Sequence, residues 1–278
     1  MEPSAQRRTS DEERAMDVQR QAYRERLDVF LASRDAGDTL TRDALRGGIT
    51  LTSVVAVAAD LARYADEAHA VIHEEYQPRL HCRDNCWYCC CKPNVLASVP
   101  ELVRILDRIE STFGVEALSA LRERGRRYAA QMKGRRLDEP VNESVPCPLL
   151  VDGRCSVYDI RPLVCRGYNS TDVDACRRAH GDVSALVPIF AILKDVTDGA
   201  TVGSAQRLAA TGVNQSVVDL GAALNIALSI ERNPAASIVQ GATDLHPAEN
   251  DSYISELWAR VCETAYSVGM RPETRDAE

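Results

Sequence analysis

Apolar residues recur at intervals of three and four along much of this chain, and polar or turn-forming stretches cut the recurrence into helix-length segments. Residues 1–10 are polar, show no periodic apolar face and read as disordered. From Asp11 to Ser33, Ala15, Ala22, Leu27, Phe30 and Leu31 share one stripe among many charges, and Asp35 to Gly48 reads as a loop. A longer helix is predicted over Thr52 to Gln77 from Val54, Val55, Ala58, Leu61, Ala62, Ala65 and Ile72, with Pro78 as its stop. Ser98-Val99-Pro100-Glu101 has the capping-box pattern and precedes Leu102, Ile105, Leu106 and Ile109, so a helix starts there and ends near Phe113-Gly114. Another follows from Val115 to about Lys133, after which Gly134 to Pro148 is polar and interrupted by Pro140, Pro146 and Pro148. The last third is mildly apolar and alanine-rich. It predicts helices over Ser184 to Lys194, Ser204 to Thr211, Ser216 to Glu231 and Ser252 to Val268, with candidate caps at Asp182, Ser184, Ser216 and Asp251.

Composition agrees with a helical chain. Aromatic residues make up only 5% of the 278, which suits alanine and leucine packing rather than a β-sandwich. No internal repeat of about 20 to 50 residues is evident. The fold expected is mainly α: one helical domain over residues 11–278, with a cysteine-cluster core at 78–180 and two irregular cysteine-rich loops. Charge is acidic, 41 Asp plus Glu against 33 Lys plus Arg, so no broad nucleic-acid footprint is expected. No apolar run reaches the ~20 residues needed to span a bilayer, so no membrane partner is expected either. Arg7-Arg8 is followed by Ser10-Asp11-Glu12-Glu13-Arg14 rather than by an apolar signal core. The expected location is therefore the cytoplasm, where clustered cysteine serves metal binding or redox work more often than structural disulfides.

The chemistry lies in the cysteines. Nine of the ten fall between Cys82 and Cys176, and five of them crowd into Cys82 to Cys91. Thiolate sulfur is a soft, strong donor for zinc and for iron-sulfur clusters, and close spacing lets one tight turn present two ligands to one ion. Cys86-x2-Cys89 is such a knuckle and Cys82-x3-Cys86 a wider one; Cys147, Cys155, Cys165 and Cys176 form the second group. Four thiolates complete one site, and this chain offers about twice that number. Two mononuclear sites, one polynuclear site with bridging thiolates, or one site with cysteines to spare all fit the count. Neighbouring residues of an extended chain point to opposite sides, so Cys89, Cys90 and Cys91 are not expected all to bind one ion, and Cys91 is left out. Cys262, beside Trp258 and Tyr266 on a late helix, reads as core filler.

Neighbouring residues add detail. Asp152-Gly153 is a turn pair that folds Cys147 and Cys155 toward each other. Arg161 and Arg166 flank Cys165 and are assigned a site role, offsetting thiolate charge or holding an anionic substrate. His81 and His180 each stand near a cysteine as further candidate ligands, and His69 and His73 lie four apart on the long helix. Ala70, Val71 and Ile72 between that pair exclude the zinc-protease motif, and the common phosphate-, dinucleotide- and serine-nucleophile motifs are missing.

Cys82-x3-Cys86-x2-Cys89-Cys90, with Cys147-Pro148-Leu149 and Cys155-Ser156-Val157-Tyr158-x2-Arg161-Pro162-x2-Cys165-Arg166, resembles the YkgJ-type cysteine-cluster family of zinc- or iron-chelating domains over roughly residues 78 to 180. The resemblance implies metal ligands at Cys82, Cys86, Cys89, Cys90, Cys147, Cys155, Cys165 and Cys176, and a cofactor of zinc or iron, a [4Fe-4S] cluster included. A related family member is the flagellin lysine methylase. That relation adds the alternative of a metal- or iron-sulfur-dependent enzyme modifying a protein or peptide, such as a methyltransferase; a module merely folded by metal is a third option. Two departures stand out, the third consecutive cysteine at Cys91 and the helices outside the shared core. The Cys82, Cys86, Cys89 triplet also has the spacing of radical enzymes, but the (β/α) barrel strands that house such clusters are not evident.

Overall fold

A computed structural model of the chain describes residues 10–83, 85–92, 94–135, 144–182, 184–211, 217–241 and 245. The order of elements is α1 (Ser10–Ala44), α2 (Leu51–Tyr76), β1 (Leu96–Ser98), α3 (Val99–Thr112), α4 (Val115–Met132), β2 (Leu150–Val151), β3 (Arg154–Cys155), α5 (Leu163–Gly167), α6 (Val173–Gly181), α7 (Ala191–Thr211), β4 (Val217–Asp219), α8 (Leu220–Ala227) and α9 (Pro234–Val239). Short 3-10 turns occupy Tyr88–Cys91 and Tyr158–Ile160.

The mainly α expectation holds, and α2, α3 and α4 fall where the apolar spacing put them. Thr50 and Ser53 close a reciprocal cap on α2, and Gln77 in the left-handed region ends it one residue before Pro78. The capping box at Ser98 and Glu101 is present at the start of α3. The core joins the inner faces of α2 (Val54, Val57, Leu61, Ala65), α3 (Leu102, Ile105, Leu106, Ile109), α7 (Leu193, Val196, Ala200) and α8 (Leu220, Leu224). Strand β1 pairs antiparallel with β4, Leu96 opposite Asp219 and Ser98 opposite Val217, so the last described third of the chain is tied to the segment just after the first cysteine loop. The Asp152-Gly153 turn forms as expected, both residues at positive φ, and joins β2 to β3 with Leu150 opposite Cys155.

Three sequence expectations are corrected. Residues 35–44 are not loop: α1 continues through them to Ala44. Its buried positions run Leu27, Phe30, Ser33, Gly37, Thr41, a helical stripe that becomes small and polar after Phe30 because it packs closely along α7. A Cβ on Gly37 would lie 2.3 Å from the Ala200 carbonyl oxygen, and one on Gly203 only 1.8 Å from that of Arg34. Second, the helices expected at 184–194 and 204–211 are replaced by the continuous α7, which is buried on several sides and therefore shows no amphipathic period. Residues 184–190 before it are not helical; Asp182 caps the end of α6, and its carboxylate accepts from the Ser184 N–H and hydroxyl. Third, the segment read as a helix from Ser216 is strand β4 and then α8, entered through the Asp219 cap on Ala222 N–H at 2.8 Å. Ser216, the 252–268 helix, its Asp251 cap and Cys262 lie outside the described residues.

Candidate metal centre

The two cysteine segments are laced together through their backbones. Cys147 N–H donates to Cys90 O at 2.8 Å and Val145 N–H to Cys91 O at 3.1 Å, so the second segment enters alongside the triple cysteine. At the other end of the first loop, His81 N–H donates to Ser170 O at 2.8 Å, and Ser170 N–H donates to Cys82 Sγ at 3.1 Å. Trp87 stacks on Tyr88 with ring centres 5.0 Å apart and meets His180 of α6 edge-on at 5.2 Å. A Cβ added at Gly153, at the hairpin turn, would lie 3.4 Å from the Trp87 ring. Lys92 reaches across to the carbonyl of Ala179.

Cys155 stands on β3, Cys165 on α5 and Cys176 on α6, so the second cysteine segment is built of short elements rather than of irregular chain alone. Val157, Ile160 and Leu163 plug the motif into the core. Glu101, buried at the start of α3, accepts from Ser98 N–H at 2.7 Å and also from Leu163 N–H at 2.6 Å, which fixes the first turn of α5. Burial raises its carboxyl above the ordinary range, against the pull of these donors. Gly167 permits α5 to lie on α7, since a Cβ there would meet Thr197 Oγ1 at 2.0 Å.

The paired arginines separate. Arg166 is only 4% exposed; it binds both oxygens of Asp66 at 2.5 and 2.6 Å, Asp159 O at 2.6 Å and Arg161 O at 3.1 Å, and so staples the Cys155–Cys165 loop to α2. It does not line the cysteine cavity. Arg161 does, with its guanidinium 4.2 Å from the Tyr158 ring centre and its charge felt by Cys155. Sequence reading missed Asp66, Arg124 and the second role of Glu101. Arg124 on α4 donates to Pro148 O at 2.6 Å, one residue from Cys147. Glu101 was visible as half of a capping box, but neither Asp66 nor Arg124 carries a local signal, because their partners are 100 and 24 residues away.

Seven thiols, Cys82, Cys86, Cys89, Cys90, Cys147, Cys155 and Cys165, line one cavity of about 630 Å³. Cys176 is buried and close enough for its charge to be felt at Cys82 and Cys86, without lining the cavity. Cys91 is buried, lies outside the cavity and hydrogen-bonds with Ser144. His81 and His180 do not line the cavity: His81 Nδ1 accepts from Val173 N–H at 3.2 Å, and His180 is held among the Trp87 and Tyr88 rings. His73 is exposed, and His69 Nε2 donates to Leu193 O at 2.8 Å, so the two do not act as a pair. All nine described cysteines are free thiols. Among the described residues, no group of three or more His, Cys, Asp or Glu side chains is arranged to hold a metal ion as it stands.

Burial pushes the thiols of Cys82, Cys86 and Cys155 up, that of Cys147 up to about 12, and that of Cys165 well above its ordinary value. Cys89 rises chiefly through its hydrogen bond with Cys90. Each thiolate charge also disfavours the next, so the group holds its protons until a cation compensates the accumulated charge. Seven soft donors on one cavity, with no Asp or Glu among the described residues that line it, fit zinc or iron rather than magnesium or calcium.

A family model described as "Putative zinc- or iron-chelating domain", CxxCxxCC, matches residues 81–181. Neither a curated protein nor a solved structure matches the chain. The matched residues begin beside Cys82, end just past Cys176 and enclose every thiol of the cavity, so the segment 81–181 is similar to the CxxCxxCC cysteine-cluster family where its thiols converge.

Proposed function

We propose that this chain chelates zinc or iron through thiolates from two segments, Cys82, Cys86, Cys89 and Cys90 from the first and Cys147, Cys155, Cys165 and Cys176 from the second. The observation that carries the reading is the convergence of seven of these thiols on one cavity from segments more than fifty residues apart. Structural thiols that only fill a core are scattered and shielded from one another; these share a wall. A metal bound there would supply the countercharge that lets them ionise together. Anaerobic purification with metal analysis and a visible spectrum tests the reading: stoichiometric zinc in colourless protein or iron in brown protein is expected, and metal-free protein overturns it. Cys86→Ser and Cys165→Ser should each lose metal, and retention in both variants would refute a site shared by the two segments.

A second reading is favoured by the size of the cavity. At about 630 Å³ it falls within the range of roughly 300–1,000 Å³ typical of small-molecule pockets and exceeds what ions need. In this reading the metal serves a reaction on a bound substrate, such as methyl transfer to a protein or peptide. Calorimetric titration of the metal-loaded protein with S-adenosylmethionine separates the two: a saturable heat favours the enzyme, and its absence favours chelation alone.

A further inference from the structure

Arg161 reaches the cysteine cavity from a backbone position that is held on both sides. Its N–H closes the 3-10 turn on Tyr158 O, and its own carbonyl accepts from the buried Arg166 Nε at 3.1 Å. The guanidinium lies over the Tyr158 ring, 4.2 Å from the ring centre, and its Nη1 donates to Tyr158 O at 3.1 Å. A guanidinium has five N–H groups in one plane, so a ring stacked on its face leaves the edge free to donate. Among the described residues no carboxylate pairs with Arg161, whereas Arg108 has Asp159 and Arg166 has Asp66. Arg83 and Lys92 line the same cavity, and no Asp or Glu does among the described residues. Arg83 is exposed and Lys92 is turned to Ala179 O, so Arg161 is the cation fixed in the wall with donors still to offer. Much of the remaining lining is aliphatic, Val95, Leu149, Val164, Val187 and Leu220 among it, and Leu186, at 92% exposure, marks the mouth.

We infer that the cavity binds a small organic carboxylate, with its anionic end on the Arg161 guanidinium and its apolar body against the aliphatic lining. This rests on the reading of the cavity as a substrate pocket and adds the chemical class of the molecule. The planar fork of a guanidinium matches a carboxylate with two parallel hydrogen bonds, and a guanidinium already stacked and hydrogen-bonded gives up little freedom on binding one. An ion held by the wall sulfurs fills only a small part of about 630 Å³, which leaves room for such a molecule beside it. An arginine that served only to offset thiolate charge would influence metal retention and have no selectivity for an added anion.

Fluorine NMR titration of the full-length protein with para-fluorobenzoate and with para-fluorobenzamide, each on metal-loaded and metal-free protein, tests the assignment. The wild type is expected to bind the carboxylate saturably and the uncharged amide about tenfold more weakly or worse, and Arg161→Met to lose about tenfold or more in carboxylate affinity with its metal content unchanged. Far-UV circular dichroism identifies a variant that fails to fold, and the comparison of carboxylate with amide on the wild type needs no substitution. Equal affinity for the two probes, or carboxylate affinity that Arg161→Met leaves intact, overturns the proposal; in the second case, binding confined to the metal-loaded form would place the carboxylate on the ion. Absence of carboxylate binding together with loss of metal in Arg161→Met would assign the guanidinium to the thiolates instead. Carboxylate binding without a heat from S-adenosylmethionine keeps this site and removes methyl transfer, and a heat without carboxylate binding does the reverse.

Discussion

Arg166 shows how a residue chosen for one reason can act for another. Its position beside Cys165 suggested a charge at the site, whereas its guanidinium is buried and turned to Asp66 and to the carbonyls of Asp159 and Arg161. Asp66 is 55% exposed and stays hydrated without its partner, but Arg166 without Asp66 is a buried cation lacking its countercharge. Asp66→Ala should therefore cost roughly 3 kcal/mol in denaturant unfolding. Arg166→Lys should cost a similar amount, since one ammonium cannot span the carboxylate and two carbonyls held by a planar fork. A loss below about 0.5 kcal/mol in both, the scale of an ordinary surface substitution, would show that the staple is dispensable. His69 gives a pH-dependent counterpart. Burial lowers its basicity while its ring donates to Leu193 O, so the folded chain holds it neutral at a pH where the unfolded chain protonates it. Stability then falls as pH drops through the ordinary histidine value of about 6.5 toward the lowered folded one. Between pH 7.5 and 5.5 the melting midpoint of the wild type should fall more steeply than that of His69→Gln; parallel slopes would contradict the assignment.

At the scale of elements, α1 and α7 run in parallel with a constant offset, Arg26 to Asp195 and Asp38 to Arg207, both 169 residues apart. Gly37, Gly199 and Gly203 let the two backbones approach within the space a methyl group would fill. Gly203→Ala sets a Cβ against a backbone carbonyl that cannot rotate away, and the helices must separate. Overpacking of this kind costs about 1–3 kcal/mol, and the rigid neighbour places this case at the upper end. Thermal unfolding should show a lower midpoint, while Gly47→Ala, where the added carbon meets nothing within 4 Å, should lie near wild type. The same close packing explains what the sequence concealed. Helices α2 and α3 have one wide apolar face and were legible from spacing and caps. The second half of α1 buries Ser33, Gly37 and Thr41, with Thr41 Oγ1 donating to Ser204 Oγ at 2.8 Å. Small and polar residues there read as loop, although they are the inner face of a helix. For the site, cysteine spacing marked both segments, and Asp152-Gly153 marked the hairpin. Of the partners that orient the segments, Glu101 showed only as half of a capping box, and Asp66 and Arg124, acting across the fold, left no local trace.

The whole molecule divides by what holds each part together. The body of α1, α2, α3, α4 and α7 rests on long helices with buried faces, and the short α8 packs among them. The segments 81–92 and 144–182 contain strands of two residues, 3-10 turns, and helices of five and nine residues, lengths that do not hold without tertiary support. Their anchors to the body lie in the second segment: Leu149, Val157, Ile160 and Leu163 in the core, Arg124 on Pro148 O, Leu163 N–H on Glu101, and Arg166 on Asp66. Cys82, Cys86, Cys89 and Cys90 lie beyond those anchors and connect to the second segment through Ser170, Cys147 and the Trp87 contacts. Binding energy from a chelated ion becomes folding energy for the part of the chain that supplies the ligands. On the proposed chelation, removing metal with a chelator should therefore leave far-UV circular dichroism nearly unchanged, because the long helices dominate it, and should abolish amide-exchange protection selectively in residues 81–92. Residues 148–167, pinned by Arg124, Glu101 and Asp66, should retain partial protection, and α2 and α7 should retain theirs in full. Uniform loss across the helices would mean that the ion supports the entire fold, and unchanged protection in 81–92 would mean that hydrogen bonds alone hold the two segments together.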